Sequence, residues 1–258
     1  MTETALVTGA SGGIGEDIAR LLAADRRNVV LLARSVGKLQ ALADALRRAH
    51  NITASVVVQD LSQPSAADAV AEALARQNLT IDILVNNAGF GTRGPFAVTD
   101  ANETVQMLTV NIVALTMLTR HLLPGMVERR RGRILNVAST AAFQPGPFMA
   151  TYYASKAYVL SFSEALSTET EGTGVTVTCL CPGPTQTGFQ SRARIESVRL
   201  LRVFNTMSSA DVARAGYEGM MAGRAIVVPG MMNKLVGQLG RISPRSLSRK
   251  VAGALNTD

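Results

Sequence analysis

The sequence predicts an α/β fold: a doubly wound, Rossmann-like parallel sheet with helices on both faces, in a single domain. Three observations carry that expectation. Short apolar runs of strand length alternate with helical patterns along most of the chain, as in a parallel sheet whose crossovers are helices. No linker, repeat or low-complexity tract interrupts the alternation. The polar residues best suited to chemistry fall at the predicted carboxyl ends of strands, where open sheets of this kind bind ligands.

The first strand, Thr4-Ala5-Leu6-Val7-Thr8, runs into Gly9-Ala10-Ser11-Gly12-Gly13-Ile14-Gly15 and then a helix bearing Ile18, Leu21 and Leu22. A strand, a glycine turn and a helix N-terminus let backbone N–H groups approach a pyrophosphate, and glycine is needed where a Cβ would block the phosphate or the helix contact. The spacing of Gly9, Gly13 and Gly15 is not the commoner G-x-G-x-x-G, and a tight turn without a ligand would look similar. The second strand, 28–33, ends in Ala33-Arg34-Ser35 where a carboxylate would accept from the ribose 2′-hydroxyl of NAD. Arginine instead suits a 2′-phosphate, which favours NADP over NAD; the alternative is a solvated surface arginine. Lys38 and a helix over about 36–48 follow.

The third strand, 54–59, ends in Asp60-Leu61, where the carboxylate either accepts from an adenine amino group or caps the next helix. The fourth, 81–85, stops at Asn86-Asn87-Ala88-Gly89, small residues over which a cofactor can lie, with asparagine able to tie loose backbone groups. A long apolar helical pattern over 103–131 contains Asn111, a satisfied core amide or a functional one. The fifth strand, 133–138, delivers Ser139, and a helix over about 151–172 carries Tyr152 and Lys156. The sixth, 175–180, is stopped by Pro182-Gly183-Pro184-Thr185-Gln186-Thr187.

Tyr152 and Lys156 are four residues apart and so share one helix face. A lysine held close to a phenol is expected to favour its ionised form and make it a usable proton donor and acceptor. The spacing alone also suits packing. Tyr153 competes, one residue out of step with both Ser139 and Lys156.

Composition narrows the class. The 47% hydrophobic and 17% charged content is that of a globular protein, and Met1-Thr2-Glu3-Thr4 has no basic segment of a signal peptide. No apolar run is expected to approach the ~18 residues that cross a bilayer, so a cytoplasmic protein is expected. His50 and His121 lie far apart, which argues against a metal site. Cys179 and Cys181 are expected as buried thiols on opposite faces of their strand, not bridged to each other. The net charge is +7, and residues 187–258 supply all of it, with 11 basic against 4 acidic side chains. No aromatic residues interleave with these charges, which argues against nucleic acid as a partner.

These motifs resemble the short-chain dehydrogenase/reductase family, in its short single-domain branch, over residues 4–230. The family's Thr-Gly-x-x-x-Gly-x-Gly is present from Thr8-Gly9 to Gly15, its Asn-Asn-Ala-Gly as Asn86 to Gly89, and its Ser-x12-Tyr-x3-Lys as Ser139, Tyr152 and Lys156. The resemblance implies an NADP-dependent oxidoreductase acting on a carbonyl or secondary alcohol, expected as a homo-oligomer. It implies Tyr152 as general acid/base, Lys156 on the nicotinamide ribose, Ser139 donating to the substrate oxygen and Asn111 anchoring a proton-relaying water. Cofactor contacts are implied from Ser11, Ile14, Leu61, Asn87, Ala88, Gly89, Pro182, Gly183 and Thr187, with Thr185 near the carboxamide. Gly12 departs from members that carry a basic residue there, so Arg34 holds the 2′-phosphate with less help. A non-catalytic NADP-sensing protein of the same fold is the alternative. A sugar-nucleotide epimerase of the extended branch fits the glycine spacing poorly.

By this reading residues 1–230 form the dinucleotide-binding and catalytic domain. Residues 231–258 form a basic amphipathic extension packed on or next to it. Residues 188–208, with Arg192, Arg194, Arg199 and Arg202, fall where a flap over the substrate belongs. Beyond them Met231, Met232, Leu235, Val236, Leu239 and Ile242 share one helical face, and Leu247, Val251 and Leu255 continue at four-residue spacing. That face either covers the pocket or a neighbouring subunit, or rests on anionic lipid as a peripheral membrane contact that admits a lipophilic substrate.

Overall fold

The structure, a computed structural model, describes residues 2–193, 195 and 206–257. The expected flap arginines Arg194, Arg199 and Arg202 lie outside them. Seven strands form one parallel sheet: β1 (Thr4–Thr8), β2 (Asn28–Ala33), β3 (Ala54–Val58), β4 (Ile83–Asn86), β5 (Gly132–Val137), β6 (Val175–Leu180) and β9 (Ile226–Val227), in the order β3-β2-β1-β4-β5-β6-β9. A two-residue ladder joins β7 (Thr185–Gln186) to β8 (Met207–Ser208).

The strands are apolar throughout because both faces of the sheet are covered. In β1, Leu6 packs into one core and its neighbours Ala5 and Val7 into the other, as alternation across a strand requires. One core holds α1 (Gly13–Ala24), α2 (Val36–His50) and α8 (Ser209–Met221) against the sheet through Ile18, Leu22, Leu39, Leu46, Val212 and Met220. The opposite core receives Val70 and Leu74 of α3 (Ala66–Arg76), Met107 of α4 (Ala101–Leu108), Leu118 and Met126 of α5 (Leu115–Glu128), and Tyr152, Tyr153 and Leu166 of α6 (Ala150–Glu169). The strand order reverses direction between β1 and β4, and the crevice outside their carboxyl ends is where such a sheet takes a ligand.

Three expectations need correction. Cys179 and Cys181 are free thiols whose Sγ atoms lie 3.7 Å apart on the same side, because residues i and i+2 of an extended chain line one face. The expected absence of a bilayer-length stretch does not hold for Ala101–Glu128, which is long and apolar enough by composition to span one. Here its buried face packs on α3 and the sheet, and the helix is interrupted by a π segment, Thr109–Ala114, centred on Asn111. Asp60 does not cap α3: its carboxylate accepts from the Ser62 N–H and hydroxyl, closing a turn several residues before the helix.

Residues 231–257 pack on the preceding part of the chain as α9 (Met231–Ile242) and α10 (Arg245–Leu255). Their inner faces are fitted closely. A Cβ at Gly237 would lie 3.1 Å from the Phe143 ring, and Asn256 receives the Tyr153 hydroxyl while donating to the Pro147 carbonyl.

Candidate active site

The floor of the site is the glycine turn. Gly9 and Gly13 have φ of 67° and 56°, left-handed conformations that cost other residues energy. Gly15 serves a different purpose, since a Cβ there would sit 2.5 Å from the Gly9 carbonyl oxygen and collide with the Asn87 amide. It closes the turn onto α1 and lies behind the cavity. Helix α1 starts with no side-chain cap, so its first N–H groups remain available to an anion.

The Asn86–Gly89 turn is bolted to this floor. Asn87 Nδ2 donates to the Thr8 and Gly9 carbonyls at 2.9 and 3.2 Å, and Thr8 Oγ1 accepts from the N–H groups of Asn87 and Ala88. Asn86 faces the other way, donating to Thr119 and Asn136 in a buried polar chain. The two adjacent asparagines therefore do separate work: one fixes the strand ends, the other the site's floor.

Above the floor is a cavity of about 780 Å³. Gly9, Ser11, Gly13 and Ile14 line it at one end, with Arg34, Asp60 and Leu61 nearby. Asn87, Ala88 and Gly89 also line it, as do Ser139, Tyr152, Lys156, Pro182, Gly183, Thr185 and Thr187. Of the residues expected at the site, Gly15 and Asn111 stand behind this lining. Asn111 is buried, with its Nδ2 donating to the Phe90 carbonyl and to Ser155 Oγ at 2.9 and 3.0 Å, and its Oδ1 accepting from the Phe90 N–H. Its amide thus positions the loop after Gly89, which a Cβ would bring to 3.3 Å from Lys156 Nζ.

Tyr152 and Lys156 both point inward from α6 and are buried. Lys156 Nζ donates to the Val137 carbonyl at 2.8 Å and lies 5.9 Å from the centroid of the Tyr152 ring. Burial lowers Lys156 from its ordinary 10.5 to about 8, with Cys179 and Cys181 acting in the opposite direction. Burial drives the Tyr152 phenol well above its ordinary value, offset in part by the Ser139 hydroxyl. The expected acidification of the phenol by Lys156 does not emerge: desolvation raises it, and the lowering comes from the Ser139 hydroxyl. Ser139 Oγ accepts from the Ala141 N–H at 3.1 Å and reaches the Pro182 carbonyl at 3.4 Å, weak enough to be exchanged for a ligand oxygen. The Tyr153 hydroxyl donates instead to Asn256 at 3.1 Å, although Tyr153 lines the same cavity.

Beyond the carboxyl ends of β2 and β3, Arg34 lies 3.9 Å from Asp60. The flap-side Arg192, on α7 (Phe189–Ala193), stacks over Phe90 with its guanidinium 4.0 Å from the ring centroid. Against the upward push of burial, the Ser62 hydrogen bonds and the charges of Arg34 and Arg192 hold Asp60 below its ordinary value. Burial and the like charge of Arg34 lower Arg192. Among the described residues that line the cavity, Arg34, Lys38 and Arg192 outnumber the one carboxylate, Asp60. The sequence placed Arg192 only in a flap over the substrate; its approach to Arg34 joins elements far apart in the chain and has no motif to reveal it. The same holds for Asn256.

A glycine turn at the switch point of a parallel sheet, lining one cavity with a part-buried Ser139 and a buried Tyr152 and Lys156, defines a nicotinamide-dependent oxidoreductase of the single-domain α/β type. The family model described as short chain dehydrogenase matches residues 3–197. The chain belongs to the short-chain dehydrogenase/reductase family. It is 34% identical over 254 residues to the ketoacyl reductase HetN of Nostoc sp., covering 96% of this chain and 87% of that one. To the very-long-chain 3-oxoacyl-CoA reductase of Phaeosphaeria nodorum it is 37% identical over 180 residues, 68% of this chain and 53% of the relative, so the chain spans about half of that protein. Among solved structures, a short-chain dehydrogenase from Sphingobium yanoikuyae in complex with NADPH superposes with a TM-score of 0.82 at 32% identity, over 92% of this chain and 93% of that one.

Proposed function

We propose that the protein transfers a hydride between NADP(H) and a lipophilic carbonyl or secondary alcohol, with Tyr152 as the general acid/base. The observation that carries this reading is the convergence of Ser139, Tyr152 and Lys156 on the same cavity as the glycine turn. The cofactor, when bound, supplies or accepts the hydride. The residues fit it: the uncapped start of α1 suits the pyrophosphate, and Arg34, Lys38 and Arg192 suit a 2′-phosphate that carries close to two negative charges.

Reduction builds negative charge on the carbonyl oxygen, and donors placed where that charge develops stabilise the transition state. Ser139 would donate to that oxygen and Tyr152 would deliver the proton. A phenol kept neutral by burial is charged with its proton throughout the physiological range, as an acid must be. A ribose hydroxyl would displace the Val137 carbonyl at Lys156 Nζ. The apolar wall contributed by Val236, Leu239, Leu247, Val251 and Leu255 favours a lipophilic substrate, in keeping with the ketoacyl reductases among the relatives.

The test follows NADPH and NADH consumption against ketones, aldehydes, quinones and acyl thioesters. Tyr152→Phe should lose ~10²- to 10⁴-fold in turnover while NADPH still binds, and Tyr153→Phe should keep its activity. Full activity in Tyr152→Phe would overturn the assignment. Tight NADPH binding with no turnover across the panel would instead leave a cofactor sensor.

A further inference from the structure

The outward faces of α9 and α10 are unusual for a folded surface. Met231 is 87% exposed, and Met232, Leu235, Leu239, Leu247 and Val251 are about half exposed, 48% at the least. The inward faces are already satisfied by Asn233, Gly237, Ser248, Ala252 and Asn256, which are buried or packed on 143–147. The inner faces are thus closed by small and hydrogen-bonded polar residues, while the outer side is apolar and calls for a partner. Interleaved with it are Lys234, Arg245, Arg249 and Lys250, all exposed. Across 231–258 the only carboxylate side chain is that of Asp258.

Leu239, Leu247 and Val251 belong both to this surface and to the wall of the catalytic cavity. The apolar surface and the apolar interior are thus continuous at the mouth. We propose that α9 and α10 rest on a bilayer surface bearing anionic lipid, with the mouth of the cavity turned toward the lipid. The methionine and leucine side chains enter the acyl boundary and the lysine and arginine heads meet the headgroup charge, the division expected of an interfacial helix. A second copy of the chain fits less well, because a two-fold contact sets each patch against itself and would oppose these cations without an acidic counterpart. The inference rests on the lipophilic substrate reading for its purpose: a carbonyl dissolved in lipid reaches Tyr152 without crossing water.

The experiment sediments the full chain with vesicles of phosphatidylcholine alone and of phosphatidylcholine mixed with phosphatidylglycerol, at low and high salt. Turnover of a water-soluble ketone is followed in the same samples. The chain should pellet with the anionic vesicles, less so at high salt, and stay in the supernatant with phosphatidylcholine. Met232→Asp with Leu235→Asp, and separately Lys234→Glu with Arg249→Glu, should each weaken vesicle binding about tenfold or more and leave soluble-ketone turnover unchanged, since none of the four lines the cavity. Wild type left in the supernatant, or variants that bind as wild type does, would overturn the proposal, as would a change in oligomeric state in Met232→Asp with Leu235→Asp, which assigns the face to a second copy. A wild-type chain that turns over a carbonyl but does not bind anionic vesicles refutes this inference alone. Retained binding with no turnover on any carbonyl refutes the catalytic reading alone.

Discussion

Replacing Lys156 with methionine should stabilise the cofactor-free protein while it destroys the site. The side chain is 5% exposed, and burial brings its pKa from 10.5 to about 8. At 1.36 kcal/mol for each tenfold change in the proton equilibrium, that drop is a cost of about 3 kcal/mol for holding the ammonium in place at neutral pH. Methionine keeps most of the apolar stem, but it leaves the Val137 carbonyl without its donor, a loss of about 1 kcal/mol. The net expectation is a gain of about 2 kcal/mol, or about 4 to 8 °C in Tm for a chain of this length.

The sign of the pH dependence follows from linkage. Below the folded pKa of about 8 both folded and unfolded lysine are protonated and the full cost is present. Between that value and 10.5 the unfolded chain binds the proton and the folded one does not, so stability rises with pH across this window. Above it the cost is gone. Thermal or urea melts should therefore favour Lys156→Met over wild type near pH 7, with the advantage narrowing as the pH rises and giving way above pH ~10 to a deficit of about 1 kcal/mol from the lost Val137 hydrogen bond. A variant less stable than wild type at pH 7, or a gap that does not narrow with pH, would refute the claim that the ammonium is held at a cost. Turnover in the variant should fall by at least ~10²-fold, as expected for loss of a group that orients the reacting centre; this is a trade of stability for function at one side chain.

The charge arrangement at the adenosine end predicts that Arg34→Asp lowers the NADPH-over-NADH preference in kcat/KM by at least ~10-fold, and that Arg192→Ala lowers it severalfold by raising KM for NADPH alone. An unchanged ratio in both would refute a role in reading the 2′-phosphate. Gly15→Ala places a methyl against the Gly9 carbonyl and the Asn87 amide. It should weaken NADPH and NADH alike by at least ~10-fold in a fluorescence titration while the far-ultraviolet circular dichroism is preserved, since what moves is the turn itself.

The sheet was legible in the sequence because strands buried on both faces must be apolar throughout, and such runs, spaced by helical patterns, leave few other arrangements. The strand 28–33 was placed to the residue, as was 175–180. The glycine turn, Arg34, the Asn86–Gly89 turn, Ser139 and the Tyr152–Lys156 pair were also legible, because each is local: a turn needs a particular backbone, and a helix fixes which residues share a face. The sequence likewise preferred Tyr152 to Tyr153 by spacing alone. What it could not supply was anything that depends on two distant segments meeting. The Tyr153 hydroxyl is held by Asn256, Arg192 is brought beside Arg34, and the last two helices form both a wall of the cavity and an exposed face. The direction of the Tyr152 titration belongs to the same group. Charge spacing along a helix suggested an acidic phenol, whereas desolvation, a property of everything packed around the ring, pushes it the other way. Local chemistry is written in neighbouring residues, but burial is set by the whole chain, and it is burial that decides which of these groups carry charge.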